Sequence, residues 1–122
     1  MWRQLKISLS FDQGEILVFE LPFSDIVGSK LRPVLVVSNS NYNKSGNDII
    51  VAKITGSKFN TQWETEMTNN HLEMGKLKKT SFIDSGFIFT IEKSIIKKAI
   101  GKLKSKHLKI VLGKINQIIE IK

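Results

Sequence analysis

Along the first half of the chain, short β-branched runs are separated by clusters of Gly, Pro, Asn, Asp and Ser, the pattern of strands joined by turns. Three runs stand out: Gly14 to Leu21, with Glu15 and Glu20 near its ends, Pro33 to Val37, and Asp48 to Thr55. A further strand is predicted over Trp63 to Met67, where Glu64 and Glu66 alternate with larger residues. A pair of strands is predicted within Ser81 to Ile91, broken or bent at Gly86, because a glycine inside a strand often marks a bulge. Pro22 to Leu31 and Asn39 to Asn47 are rich in turn formers and read as exposed, mobile loops.

After Thr90 the pattern changes. Ile96 to Leu103 suits a last strand better than a short helix, since Gly101 is unfavourable inside a helix. From Ser105, an N-cap candidate, Leu108, Val111, Leu112, Ile115, Ile118 and Ile119 fall at helical spacing and predict an amphipathic helix over residues 106–120. Its apolar stripe is assigned to the domain's own sheet rather than to a membrane, because so small a domain needs that area buried. Many short strands followed by one helix indicate a mainly β fold, a small twisted barrel capped by a C-terminal helix, as a single domain over residues 1–122.

Composition narrows the function. A chain of 122 residues, 41% of them hydrophobic, buries one core and not two, which excludes a multidomain enzyme. With no Cys there is no thiol nucleophile, thiolate zinc site or disulfide framework, and a reducing, cytoplasmic setting is expected. Met1 to Phe11 alternates polar and apolar residues, and no run approaches the roughly 18 apolar residues of a membrane span, so neither export nor membrane insertion is expected. The formal charge is +8, and residues 92–122 hold nine Lys against Glu92 and Glu120. That basic end suits nucleic acid, a membrane surface or an acidic protein; it also suits plain solvation.

Generic catalytic patterns are missing: there is no Gly-rich phosphate loop, His-Glu-x-x-His or Gly-x-Ser-x-Gly. His71 and His107 stand alone, so neither a metal site nor a cofactor is expected. Arginine is scarce, only Arg3 and Arg32 against 17 Lys. Arg32 directly precedes Pro33, which biases it to an extended conformation and directs its stem, and a planar fork of donors suits a phosphate. A surface arginine capping a strand would look the same. Thr55 ends its predicted strand before Gly56 and Ser57, so a hydroxyl stands where the backbone can come close to a ligand. An ordinary strand-to-turn threonine is the competing reading.

Together these residues resemble the MazF/PemK family of toxin endoribonucleases. The likeness is carried by Gly14-Glu15-Ile16-Leu17-Val18-Phe19, Leu21-Pro22-Phe23-Ser24-Asp25 and Gly28-Ser29-Lys30-Leu31-Arg32-Pro33-Val34-Leu35-Val36-Val37-Ser38. It continues through Val51-Ala52-Lys53-Ile54-Thr55, Gly75 to Ser81, Thr90-Ile91 and Ile100-Gly101-Lys102-Leu103, covering about residues 12–118. The resemblance implies an SH3-like barrel, a homodimer, and metal-independent cleavage of single-stranded RNA to a 2′,3′-cyclic phosphate. It also implies a MazE/PemI-like antitoxin with an acidic, disordered tail as partner. Arg32 and Thr55 match the family's catalytic arginine and threonine; candidate substrate contacts are Phe23, Lys30, Ser57, Ser81 and Asp84.

Members related to the plasmid toxin Kid carry Arg-x-Asp in the strand after the position of Ser81. Here Asp84 stands where that arginine is expected and Gly86 where the aspartate is expected, so that acid–base pair is not carried over. Phe87 and Phe89 replace polar residues and either stack on bases or fill the dimer core, core packing being favoured. The departure keeps open a noncatalytic member that binds RNA or an acidic protein. A topoisomerase-poisoning toxin related to CcdB shares the fold, but nothing at this C-terminus favours it. Lys97, Lys98, Lys102, Lys104, Lys106 and Lys109 fit RNA phosphates, an acidic antitoxin tail, or solvent.

Overall fold

Alternation along the strands sorts the apolar side chains onto two faces of one sheet. The computed structural model describes residues 9–20 and 31–122. In it β1 (Glu15–Glu20), β2 (Leu31–Val36), β3 (Asp48–Thr55), β4 (Glu64–Met67), β5 (Leu72–Gly75), β6 (Ser81–Glu92) and β7 (Ile96–Leu103) pair antiparallel in the order β4-β6-β3-β2-β1-β7-β5. The sheet curls into a half-barrel, and the helices are α1 (Ser40–Lys44) and α2 (Ser105–Ile119). This is the mainly β class with a C-terminal helix that the pattern implies. No helix among the described residues is long and apolar enough to cross a membrane.

On the helix-covered face Ile16, Leu35, Ile54, Met67, Ile83 and Leu103 pack with Val111 of α2, joined by half-buried Leu108, Leu112 and Ile115. The opposite face, open in that α2 does not cover it, carries a second buried cluster, Leu17, Phe19, Val34, Val36, Ile49 and Ile91 among them, with Leu9, Phe11, Phe89 and Ile95 packed against it. Burying a Leu or Ile fully is worth about 1.5–3 kcal/mol, so both faces contribute to stability. β5 and β7 approach closely where Gly75 faces Gly101. A Cβ on Gly75, whose φ is +92°, would run into the Ile100 carbonyl oxygen, a clash that only glycine avoids.

Helix α2 also closes an edge. β4 pairs only with β6, and its free carbonyls at Glu64 and Glu66 accept hydrogen bonds from Lys114 Nζ and His107 Nε2, both at 2.7 Å. Side chains of the helix thus satisfy backbone groups that would otherwise invite another strand.

Several expectations change. Ser81 to Ile91 is one strand of 12 residues to Glu92, not a pair. The bend expected at Gly86 is present within that strand: the register jumps from Ala52↔Ile88 to Lys53↔Asp84, so Ser85, Gly86 and Phe87 form a bulge. The bulge is tolerated because Ser85 N–H donates to the Trp63 carbonyl at 3.0 Å, which restores a backbone partner. The Asn39 to Asn47 segment holds α1, started by the Asn39 side chain accepting from Tyr42 N–H. It is pinned by buried Asn43, whose amide donates to the Phe11 and Ser38 carbonyls. Leu31, placed in a loop from sequence, opens β2; residues 22–30 of that predicted loop lie outside the described residues. The helix begins at Ser105 itself with Lys104 at the cap position, because the Lys104 carbonyl already accepts from His107 and Leu108 N–H. β5 has no counterpart among the predicted strands, being only four residues long.

Candidate functional site

Strand register decides which of the polar side chains meet. β2 and β3 pair through Val34↔Lys53, and continuing that register two residues further sets Arg32 across from Thr55. Residues directly opposite share a face. Arg32 alternates with Val34 and Val36 and therefore lies on the open face, at the end of the second apolar cluster. Arg32 is exposed, and no carboxylate among the described residues pairs with it.

Thr55 is half-buried at the end of β3. Its Oγ1 accepts from Ser57 N–H at 3.1 Å, which fixes the hydroxyl and leaves its proton free to donate to a ligand. Ser57 thus serves the site through its backbone. A Cβ added to Gly56 would stand 2.9 Å from Lys79 Nζ, so the Lys79 ammonium lies against the turn that follows Thr55. Neither Lys79 nor Lys53 was singled out from sequence as a site residue. The Lys76 to Lys79 run was the available signal, but it does not reveal which lysine folds back onto Gly56.

Asp84 is the Cα partner of Lys53 in β3 and of Glu64 in β4, two residues along from Thr55↔Phe82 and so on the same face. Its Oδ1 accepts from Gly86 N–H at 2.9 Å, so the bulge orients the carboxylate. Lys53 Nζ lies 4.8 Å from the centre of the Phe87 ring, a cation–π contact. The open face therefore gathers Arg32, Thr55, Lys53 and Asp84. Ser81 is not among them: it pairs with buried Met67 and alternates with Ile83, which turns it to the helix-covered face. Phe23 and Lys30 lie outside the described residues.

The two aromatic residues divide. Phe89 packs on the open-face cluster of its own chain, its ring 6.3 Å from Phe19. Phe87 is 48% exposed and is held edge-on by Phe89 at 5.8 Å. The C-terminal lysines divide as well, since Lys93 donates to the Gly46 carbonyl, Lys97 pairs with Glu20 at 3.5 Å, and Lys114 serves the β4 edge.

The histidines that stand apart in sequence meet in the fold. The His71 and His107 rings stack 3.7 Å apart and within 3° of parallel, because the turn after β4 and the first turn of α2 adjoin. His71 Nδ1 accepts from Thr68 N–H, and the ring of His107 is oriented by the Glu66 carbonyl. Burial, above all, holds the His107 pKa below its ordinary value, opposed by the Glu66 bond and reinforced by His71 and Lys114. Among the described residues no carboxylate or further histidine joins the pair in a cluster of three.

Comparison with known proteins adds the wider setting. The family profile described as PemK-like, MazF-like toxin of type II toxin-antitoxin system matches residues 12–119. The fold is similar to the MazE–MazF crystal structure from Deinococcus radiodurans, at 16% identity and a TM-score of 0.74 over 94% of this chain and 100% of that one. It is also similar to an endoribonuclease from a mycobacterial species, at 14% identity and a TM-score of 0.71 over 92% and 93% of the two chains. Mycobacterium tuberculosis toxin MazF-mt6 shares it at 18% identity and a TM-score of 0.70, over 88% and 98%. No curated protein matches the sequence significantly.

Proposed function

Because the chain belongs to the PemK-like, MazF-like toxins of type II toxin-antitoxin systems, we propose that it is a sequence-selective endoribonuclease that cleaves single-stranded RNA without a metal and inhibits growth. The observation that carries this reading is the placement of Arg32 opposite Thr55 at one end of the open face, given by the register of β2 on β3. In the reaction the 2′-oxygen attacks phosphorus in line, the bond to the 5′-oxygen breaks, and a 2′,3′-cyclic phosphate and a 5′-hydroxyl remain. The 2′-hydroxyl loses its proton to solvent and the leaving 5′-oxygen gains one.

Arg32 neutralises the charge that grows on the phosphorane, and the free hydroxyl proton of Thr55 orients a nonbridging oxygen. Lys79, lying against Gly56, adds positive charge beside the same turn. Neither arginine nor threonine is a general base near pH 7, so positioning and electrostatics supply most of the rate. The solved endoribonuclease structures that share the fold support RNA as substrate.

The same reading gives the protein cytoplasmic work and two partners. One is a second copy of the chain; the other is an antitoxin with an acidic tail, a pairing supported by the antitoxin-bound toxins of similar fold. Digestion of a long, structure-poor RNA in EDTA, followed by end-group analysis, tests the enzyme reading. Discrete fragments ending in 2′,3′-cyclic phosphate are expected. Intact RNA from folded, antitoxin-free protein would favour a binding protein that cannot cleave, with Asp84 and Gly86 as the departure behind it.

A further inference from the structure

Beside the proposed cleavage site, a hollow of about 340 Å³ opens on the same face, lined by Phe59, Thr61, Trp63, Glu64, Asp84 and Phe87 among others. That volume falls in the roughly 300–1,000 Å³ range of small-ligand sites. Three aromatic side chains and two carboxylates in one hollow make an unusual lining for a surface whose other neighbours are Arg32, Lys53 and Lys79.

The two carboxylates have different work. Both oxygens of Glu64 are already engaged, Oε2 accepting from Phe59 N–H at 3.1 Å and Oε1 from Asn60 N–H at 2.6 Å. Asn60 adopts a left-handed backbone, φ +59°, which asparagine tolerates and which this brace holds in place. Glu64 therefore builds the wall that carries Phe59. Among the described residues Asp84 receives only the Gly86 N–H on Oδ1, which leaves acceptor capacity for a ligand. Phe87 is held on one side by Lys53 and at its edge by Phe89, which makes it a fixed ring rather than a swinging one.

We propose that this hollow is a nucleobase subsite in which the aromatic side chains stack on one base of the RNA and Asp84 selects guanine by its Watson–Crick edge. The proposal rests on the nuclease reading for its substrate class. Single-stranded RNA is read by stacking of splayed bases on aromatic rings and by hydrogen bonds to their edges. A carboxylate accepts and cannot donate. Guanine alone offers it two adjacent donors, N1–H and the N2 amino group. Cytosine and adenine offer one amino donor beside a ring nitrogen that repels the second oxygen, and uracil sets its single N3–H between two carbonyls. The preference is therefore guanine, then cytosine or adenine, then uracil. A cationic side chain would suit the same rings, but Lys53 of this chain already fills that role at Phe87.

The test uses a pool of single-stranded heptamers randomised at every position and carrying 2′-fluoro sugars, which lack the attacking hydroxyl, so binding is read without cleavage. Oligomers retained by the full chain are sequenced. One position should favour guanine over uracil by about tenfold or more, within the range of a good bidentate contact. In Asp84→Asn that ratio should fall to within about threefold while enrichment at other positions persists. Asparagine keeps an Oδ1 for Gly86 N–H, so the bulge survives the change. Phe87→Ala should weaken retention of the whole pool without changing the base order. A pool with no guanine-enriched position overturns the proposal, as does a guanine preference that survives in Asp84→Asn. RNA cleavage without guanine preference leaves the nuclease reading standing and removes this one; guanine-selective retention by a protein that never cleaves does the reverse.

Discussion

The two faces of the sheet are built from the same strands yet finished differently. The helix-covered face is sealed: α2 lays Val111 into it, and His107 and Lys114 of the same helix close the β4 edge. The open face is apolar over β1, β2 and the first half of β3, then turns polar where Lys53, Thr55, Asp84 and Arg32 gather. A face covered by its own helix has no room for a ligand, whereas the other face ends in partly exposed polar side chains whose charges water still solvates. The difference teaches that one side of each strand carries packing alone, whereas the other combines packing with polar side chains left available at its end.

Strand β2 offers the sharpest way to break that division, since Leu35 points to one face and Arg32 to the other. Leu35→Ala should cost about 2–5 kcal/mol in unfolding free energy, measured by urea denaturation, because a fully buried side chain leaves a cavity. Arg32→Ala should change stability by no more than about 0.5 kcal/mol. It should nevertheless lower the rate of RNA cleavage by roughly 10²–10³, as removal of a donor to the developing charge does. An Arg32→Ala enzyme within about tenfold of the parent would remove the arginine from the mechanism, and a destabilised one would make it a structural residue.

Thr55 refines the same division with a smaller expected effect. Thr55→Val keeps the shape of a half-buried β-branched residue and deletes only the hydroxyl that Ser57 N–H holds. A hydrogen bond to a charged group is worth about 1.5–3 kcal/mol, so cleavage should fall about 10- to 100-fold, with Thr55→Ser restoring most of it. Equal losses in valine and serine variants would mean that packing, not the hydroxyl, is what the position requires.

How much of this was legible in the sequence depended on the range of the signal. β3 and β7 were predicted to the residue, because β-branched runs and flanking turn formers are local properties. Arg32 and Thr55 were singled out through the family resemblance, since each taken alone reads as an ordinary strand-end residue. The hollow at Phe59, Trp63 and Asp84 was not, since it exists only when the bulge at Ser85 to Phe87 lets β6 bend against the braced loop. Nor was the histidine stack, whose members are far apart in sequence and meet through the turn before β5 and the start of α2. Likewise the basic C-terminus looked like one field of charge, but Lys93 and Lys114 are spent on backbone carbonyls that no composition count reveals.

The smallest predicted effect lies on the sealed side, where His107 joins helix to edge strand. Its folded pKa lies below the ordinary histidine value of 6.5, chiefly through burial. The unfolded chain therefore takes up the proton first as pH falls. Stability contributed by the neutral ring is complete above about pH 6.5 and declines as pH drops from there toward the folded pKa. Glu64, whose pKa is lowered from 4.5 mainly by the Phe59 N–H, loses its own contribution only at more acidic pH, so the two windows separate. As pH falls below about 6.5 the parent protein should lose stability, and His107→Gln should flatten that part of the curve. Glutamine can still donate to the Glu66 carbonyl, so a flattened curve with an intact fold would locate the sensitivity in the imidazole. RNA binding on the open face should keep its profile over this range, and a parallel loss there would show that the two faces are coupled after all.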